Sequence, residues 1–343
     1  MFYFEARVNR EKSKIRGWLF VAVALLLCLP PSAAQEHMDE AARQARAQEL
    51  LKKARVALGG EEAWDKLQSL SVRLKLQRFI KYASVQAPDK VVEKERILSG
   101  KVELDFLLPD RFLRKISTQT LGLFKYSFTE IVNGEKAWRD PPLSVRSSRG
   151  DNRVVDVRDV ERTLTLQTQG AQQQVSLYTL MYLLLMPPSQ PTQWHYQGDF
   201  PLADAVGEQP RQVHVLLGEA PDGFRPFWLF DPASHLPLGV AVAYVEAIRP
   251  SVIVEVAALD GGYLRRTYQR AAQERRARAK PARMHEMRWL LSDYRQLGGV
   301  LLPHRITILR DGEKIEELTV TRLKLNHDID VKRFEGEPKV NWR

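Results

Sequence analysis

Between Leu70 and Gln77 the chain alternates without a break, with Leu70, Val72, Leu74 and Leu76 on one side and Ser71, Arg73, Lys75 and Gln77 on the other. Successive side chains of a strand point to opposite faces, so this is the pattern of a strand with one buried and one wet face. The same period of two recurs at Arg111–Ser117, where Phe112, Arg114 and Ile116 share a face opposite Leu113, Lys115 and Ser117. Further strands are expected at 90–98 and 101–108, separated at Ser99-Gly100, and at Arg211–Leu217, Phe227–Phe230 and Leu238–Val245. The last unit reads as three strands, Met287–Gln296, Val300–Leu309 and Glu313–Leu325, turned at Gly298-Gly299 and Asp311-Gly312. Within the third, the apolar phase slips from Leu318 and Val320 to Leu323 and Leu325, which predicts a β-bulge. Asn133-Gly134 predicts another hairpin turn, with Tyr126, Phe128 and Trp138 gathered on one apolar side.

Two stretches carry a helical pattern instead. Ala47, Leu50, Leu51, Ala54, Ala57 and Leu58 recur at three- and four-residue spacing and stop at Gly59-Gly60, so residues 38–58 should form an amphipathic helix, with a further turn at Glu61–Leu67. Val175–Met186, VSLYTLMYLLLM, is apolar on almost every side until Pro187-Pro188 ends it. A helix of that kind has to be buried. Residues 189–210, with Pro191, Pro201 and Pro210, read as a loop, Gln167–Gln174 as a polar connection, and Ser251–Leu259 as a further extended piece. The framework is therefore mainly β, with helices laid on it.

Composition changes this picture little: 343 residues with 44% hydrophobic and 9% aromatic content are ordinary for a globular protein. The N-terminus changes it more. Arg7, Arg10, Lys12, Lys14 and Arg16 precede the short apolar run Gly17–Leu29, and Ser32-Ala33-Ala34 supplies small residues, so residues 1–34 are expected to be a cleaved export signal. The apolar run is too short for a membrane span of roughly 20 residues. The only cysteine, Cys28, lies inside it, preceded by Leu27 where a lipidated cysteine would need a small residue. Residues 35–343 are expected to form one domain in the periplasm, without disulfides, as a monomer.

The formal net charge of +10 is unevenly distributed. Between Arg265 and Arg283 there are eight basic residues and one acid, with Arg265, Arg266, Arg270, Arg275, Arg276 and Arg278 in the densest part. Such a run is expected to be a solvated insertion around 260–284, able to attract an anionic membrane surface. The rest of the exported part is close to neutral, which disfavours a nucleic-acid-binding surface.

The stretch around Pro109 carries a family resemblance. An apolar strand, Pro109-Asp110-Arg111-Phe112, a strand, and then Val132-Asn133-Gly134 with Trp138 resemble the outer-membrane lipoprotein carrier, or LolA-like, superfamily. The helix Ala41–Leu58, the turn Asp231-Pro232-Ala233-Ser234 and the ending Asn326, Phe334, Pro338 are similar to that family's first helix, late hairpin and terminal strand. The resemblance implies an unclosed, strongly curved antiparallel β-barrel with helices covering its concave face, and an apolar interior that holds the acyl chains of lipid or lipoprotein. Leu70, Val72, Leu74, Leu76, Phe112, Ile116, Tyr126, Phe128, Trp138, Leu180, Met181 and Leu184 would line that cavity. Family members carry a basic residue just before the matching proline that bonds the lid helices. Here that position is Leu108, and Arg111 is the candidate for gating from the other side of the proline.

Catalytic patterns are missing: no G-x-S-x-G, H-E-x-x-H, P-loop or G-x-G-x-x-G occurs, so no enzymatic activity and no cofactor are expected. The histidines at 37, 195, 214, 235, 285, 304 and 327 have no metal-ligand spacing; His214 and His304 fit wet strand positions, and Asp328 and Asp330 fit a turn better than a cation loop. Against lipid carriage stand two alternatives, a helix and sheet that simply pack as a core, and a non-enzymatic envelope sensor or protein-interaction module on the same fold.

Overall fold

The computed structural model describes residues 38–87, 90–119, 125–140, 144–145, 172–173, 176–182, 192–203, 209–221, 223–245, 284–336 and 341–342. The expected export signal, Ser251–Leu259, Leu184 and the basic run 265–283 lie outside these, as do the side chain of Tyr126 and most of Gln167–Gln174.

Twelve strands form one antiparallel sheet: β1 (Ser69–Ala87), β2 (Lys90–Leu107), β3 (Arg111–Gln119), β4 (Lys125–Asn133), β5 (Lys136–Asp140), β7 (Gln193–Leu202), β8 (Arg211–Glu219), β9 (Pro226–Phe230), β10 (Pro237–Val245), β11 (Met284–Leu297), β12 (Val300–Arg310) and β13 (Glu313–Leu325). The short strands β6 (Ser144–Val145) and β14 (Asn341–Trp342) pair separately in parallel. In the large sheet the order is β5-β4-β3-β2-β1-β13-β12-β11-β10-β9-β8-β7, so its two edges, β5 and β7, do not meet and the barrel is open. Every neighbour is consecutive in sequence except at one seam, where β1 pairs with β13.

Alternation places one side chain in two on an inner face, and register joins these into apolar rows. One row runs Leu70, Phe106, Phe112, Val132, Ala137, and another Ile308, Trp289, Val240, Trp228, Leu216. All of these residues belong to the main buried core. Onto the same core pack α1 (Glu40–Ala57), through Ala47, Leu50 and Ala54, and α2 (Glu61–Asp65), through Trp64. Asp39 caps α1 by accepting from the Ala42 amide at 2.7 Å. At its other end Leu58 accepts from the Leu301 amide at 2.8 Å, and a Cβ on Gly59 would stand 2.2 Å from the Gly299 oxygen. Only glycine permits that approach of helix end to β11–β12 turn.

The expected bulge is present. Arg73 faces Arg322 but Leu74 faces Val320, leaving Thr321 unpaired in the ladder, where its hydroxyl donates to the Arg73 carbonyl at 3.0 Å. Gly298-Gly299 and Asp311-Gly312 both have positive φ at both positions, as a two-residue hairpin requires. Three expectations need correction. β1 and β2 pair antiparallel from Ser69–Leu107 to Ala87–Lys90, and β2 runs straight through Ser99-Gly100, where a Cβ on Gly100 would meet the Ser117 oxygen at 2.6 Å. The glycine marks close approach of β3, not a turn. Residues 193–202 form β7, not a loop; β7 is an edge strand, where the missing amide of Pro201 is tolerated. The β4–β5 loop is Gly134-Glu135, with Asn133 paired to Lys136.

Between β9 and β10, Asp231 accepts from the Ser234 amide at 2.9 Å and the Ala233 amide at 2.7 Å. These bonds hold its carboxyl below the usual carboxylate range. A group depressed in the folded state stabilises it above the unfolded value, near pH 4, and loses that contribution as pH falls through the folded one. Asp231→Ala is expected to cost about 0.5–1 kcal/mol at pH 7, given the turn's exposure. Urea titrations at pH 7 and pH 2.5 should show the gap between variant and wild type shrinking in acid.

Candidate functional site on the inner face

The described part of the all-apolar stretch, residues 176–182, is helical and is designated α3. Every residue in it is buried: Ser176, Leu177, Tyr178, Thr179, Leu180, Met181 and Tyr182 are all at most 5% exposed. It lies on the inner face and attaches through two tyrosines one turn apart. The Tyr178 ring stacks on Phe112 at 6.3 Å between centroids, and Tyr182 meets Phe106 at 6.3 Å; Phe106 and Phe112 are themselves edge to face at 4.9 Å.

Beside Tyr178 the inner face carries a charge. Arg114 and Glu130 stand directly opposite each other on β3 and β4, with side chains 10% and 13% exposed. Arg114 Nε donates to Glu130 Oε2 at 2.7 Å, and Nη2 reaches the same oxygen. The guanidinium also sits 5.5 Å from the centre of the Tyr178 ring and 5.9 Å from that of Phe128. Burial works against the Arg114 charge, but the Glu130 carboxylate and Tyr178 outweigh it and the arginine stays protonated. Burial raises the Tyr178 phenol, with Arg114 pulling the other way.

The inner core is not fully satisfied. Tyr182 Oη, Trp228 Nε1 and Trp64 Nε1 are buried without a hydrogen-bond partner among the described residues. Each such group costs about 1–3 kcal/mol. Burial pushes the Tyr182 phenol up strongly.

Of the residues expected to line the cavity, Leu70, Val72, Leu74 and Leu76 on β1, Phe112 and Ile116 on β3, and Leu180 and Met181 on α3 are all in this buried core. Phe128, half-buried, faces Ile116 across β3–β4, and Tyr126 pairs with Thr118 by register. Trp138 is on the other face. It pairs with Ile131 and packs with Leu113, Ile329 and Phe334, the last from the 3-10 turn Val331–Phe334 that straps the outside of β3 and β4. A two-residue hairpin loop pairs even positions of one strand with odd positions of the next, so Trp138 cannot share a face with Phe128. Arg111 likewise falls at an outer-face position, between Leu107 and Asn133. The basic residue facing the covering helix is Arg114, three positions on. His214 is not at a wet position either: it is 9% exposed and paired with Asp199.

Sequence reasoning placed Arg114 on the Phe112 face but gave it no role; a lone arginine in an otherwise apolar row was the signal. Tyr178 and Tyr182, spaced by one helical turn, were a second.

No family model matches the chain, and no curated protein matches it. Among solved structures it is similar to a domain named for outer membrane lipoprotein sorting from Vibrio parahaemolyticus. That match has 10% identity and a TM-score of 0.42, covering 85% of this chain and 97% of the other. It is also similar to a LolA superfamily protein from Nitrosomonas europaea, with 12% identity and a TM-score of 0.40 over 84% of this chain and 97% of that one.

Proposed function

We propose that the protein is a periplasmic carrier that holds the acyl chains of a lipid or lipoprotein between the inner face of its open sheet and α3. One observation carries this: a helix distant in sequence from the strands it covers has all its described residues buried on an apolar sheet face. Such a helix can act as a plug that acyl chains replace with little net change in exposed apolar area, since lipid tails and leucine side chains are equally apolar. The Tyr182 hydroxyl, with no hydrogen-bond partner among the described residues, lowers the cost of moving it. Arg114, bonded to Glu130 and set against Tyr178, is the latch on the plug, and Met181 gives the lining a pliable side chain.

Titration with an environment-sensitive apolar dye tests the proposal. Saturable binding is expected, with displacement by fatty acid or phospholipid. Phe128→Ala, on the inner face, should weaken dye binding roughly ten-fold, the effect of losing much of one aromatic contact. Trp138→Ala, on the outer face, should leave it unchanged. Folded protein that takes up no dye saturably would make the inner face a closed core and refute carriage.

A further inference from the structure

On the outer face, over the β1–β13 seam, a cavity of about 80 Å³ is lined by Ser71, Arg73, Arg322, Lys324 and His327. No carboxylate lines it. Arg73 and Arg322 are paired directly across the two strands, and Lys324 is paired with Ser71. Like charges placed opposite each other in a ladder repel. The acids nearby are already engaged: Arg73 lies 2.9 Å from Oδ1 of buried Asp105 and its Nε 3.6 Å from Glu103, Arg333 lies 2.5 Å from Asp105 Oδ2, and the Ser71 hydroxyl bonds to Oδ1. Arg322 and Lys324 have no carboxylate partner among the described residues, and both line the cavity and are exposed. His327 Nε2 lies 3.1 Å from the Ser71 hydroxyl, while its Nδ1 is buried with no hydrogen-bond partner among the described residues.

This is not a nucleophile triad. In a triad the carboxylate orients the imidazole and the imidazole takes the serine proton. Here the carboxylate receives the serine proton itself, so the histidine can only donate to Ser71 from Nε2. What remains is a concave site with three cationic side chains, of which Arg73 is paired with Asp105 and Glu103 while Arg322 and Lys324 have no carboxylate partner among the described residues.

We propose that this cavity is a binding site for a tetrahedral oxyanion of the phosphate class, held by Arg73, Arg322 and Lys324. The planar guanidinium of Arg322 suits a phosphate edge, and the ammonium of Lys324 adds a point charge. A single phosphate group fits the volume, and the cavity is open to solvent on one side, which leaves room for a group attached to it. Free phosphate and the phosphomonoester headgroup of a lipid share this chemistry. The site is on the opposite face from the acyl-chain proposal and does not depend on it.

Inorganic phosphate and glycerol 3-phosphate are the probes, titrated into the full protein by calorimetry and by thermal midpoint, against chloride at matched ionic strength. Both phosphates should bind at one site and raise the midpoint as mass action requires. Arg322→Gln with Lys324→Gln should weaken binding at least ten-fold. The phosphate-free midpoint of that variant should not fall, because the repulsion on Arg73 is relieved. Equal binding of the two probes shows that the site admits an esterified phosphate such as a headgroup, and binding of phosphate alone restricts it to the free ion. If neither does more than chloride, or if the double variant binds as wild type does, there is no site here.

Discussion

Leu180→Asp is expected to cost more than about 3 kcal/mol and to leave little folded protein at physiological temperature. Leu180 is fully buried at the centre of α3. Truncating a buried leucine alone costs about 2–5 kcal/mol, and a carboxylate without a partner adds several more or takes up a proton instead. The nearest latch cannot rescue it: Tyr178 and Leu180 are two residues apart on a helix, so they point to opposite sides, and Arg114 is on the Tyr178 side. The introduced carboxyl would have a raised pKa in the folded state, so the loss should deepen as pH rises from 4 to 8 and ease in acid. Urea unfolding across that range measures it, with Leu180→Met as the volume-conserving control at under about 1.5 kcal/mol. A midpoint unmoved by aspartate would put α3 on the surface.

Glu130→Ala should be nearly as damaging, at about 3–5 kcal/mol, because it strands the buried guanidinium of Arg114. The pair itself need not stabilise the fold. Arg114→Met with Glu130→Leu replaces both charges by apolar groups of similar size, and most of the lost stability should return. A double-mutant cycle on unfolding free energies separates the two ideas. If the double variant is as unstable as the single one, Arg114 is not held by Glu130 alone. Where the double variant folds, its exchange of bound dye should be faster than wild type, since the latch on Tyr178 is gone while the apolar face remains.

How much of this was legible in the chain depended on the range of the interaction involved. Leu70–Gln77 announced a strand because alternation is local, and so did the bulge at Thr321, where the apolar phase slips within a single strand. The glycine turns at 298–299 and 311–312 were equally local. β7 is not legible locally, because Pro201 argues against a strand unless the strand is an edge, and edge position is a property of the whole sheet. The face of Trp138 follows from the sequence only when the length of the hairpin loop is counted, because that length sets how parity passes from one strand to the next. The latch and the outer cavity were out of reach for a further reason. Arg114 acquires a role only when α3 is laid on it, and Ser71 meets Arg322, Lys324 and His327 only because β1 and β13 are neighbours.

That seam has a consequence for how the molecule is made. Gln68 and Asn326, joined at 2.7 Å through the Asn326 side chain, are 258 positions apart, and the ladder from Leu70–Leu325 to Arg78–Glu316 spans a similar distance. Each half of the sheet is a succession of neighbours that can form as the ribosome supplies it. The two halves cannot be joined until nearly the whole polypeptide has emerged. Until then β1 presents one edge of unpaired amides and carbonyls, at what will be the middle of the sheet. Loop-closure entropy makes pairing over such a distance slow. The newborn chain therefore passes through an interval in which its most central strand is its most adhesive one.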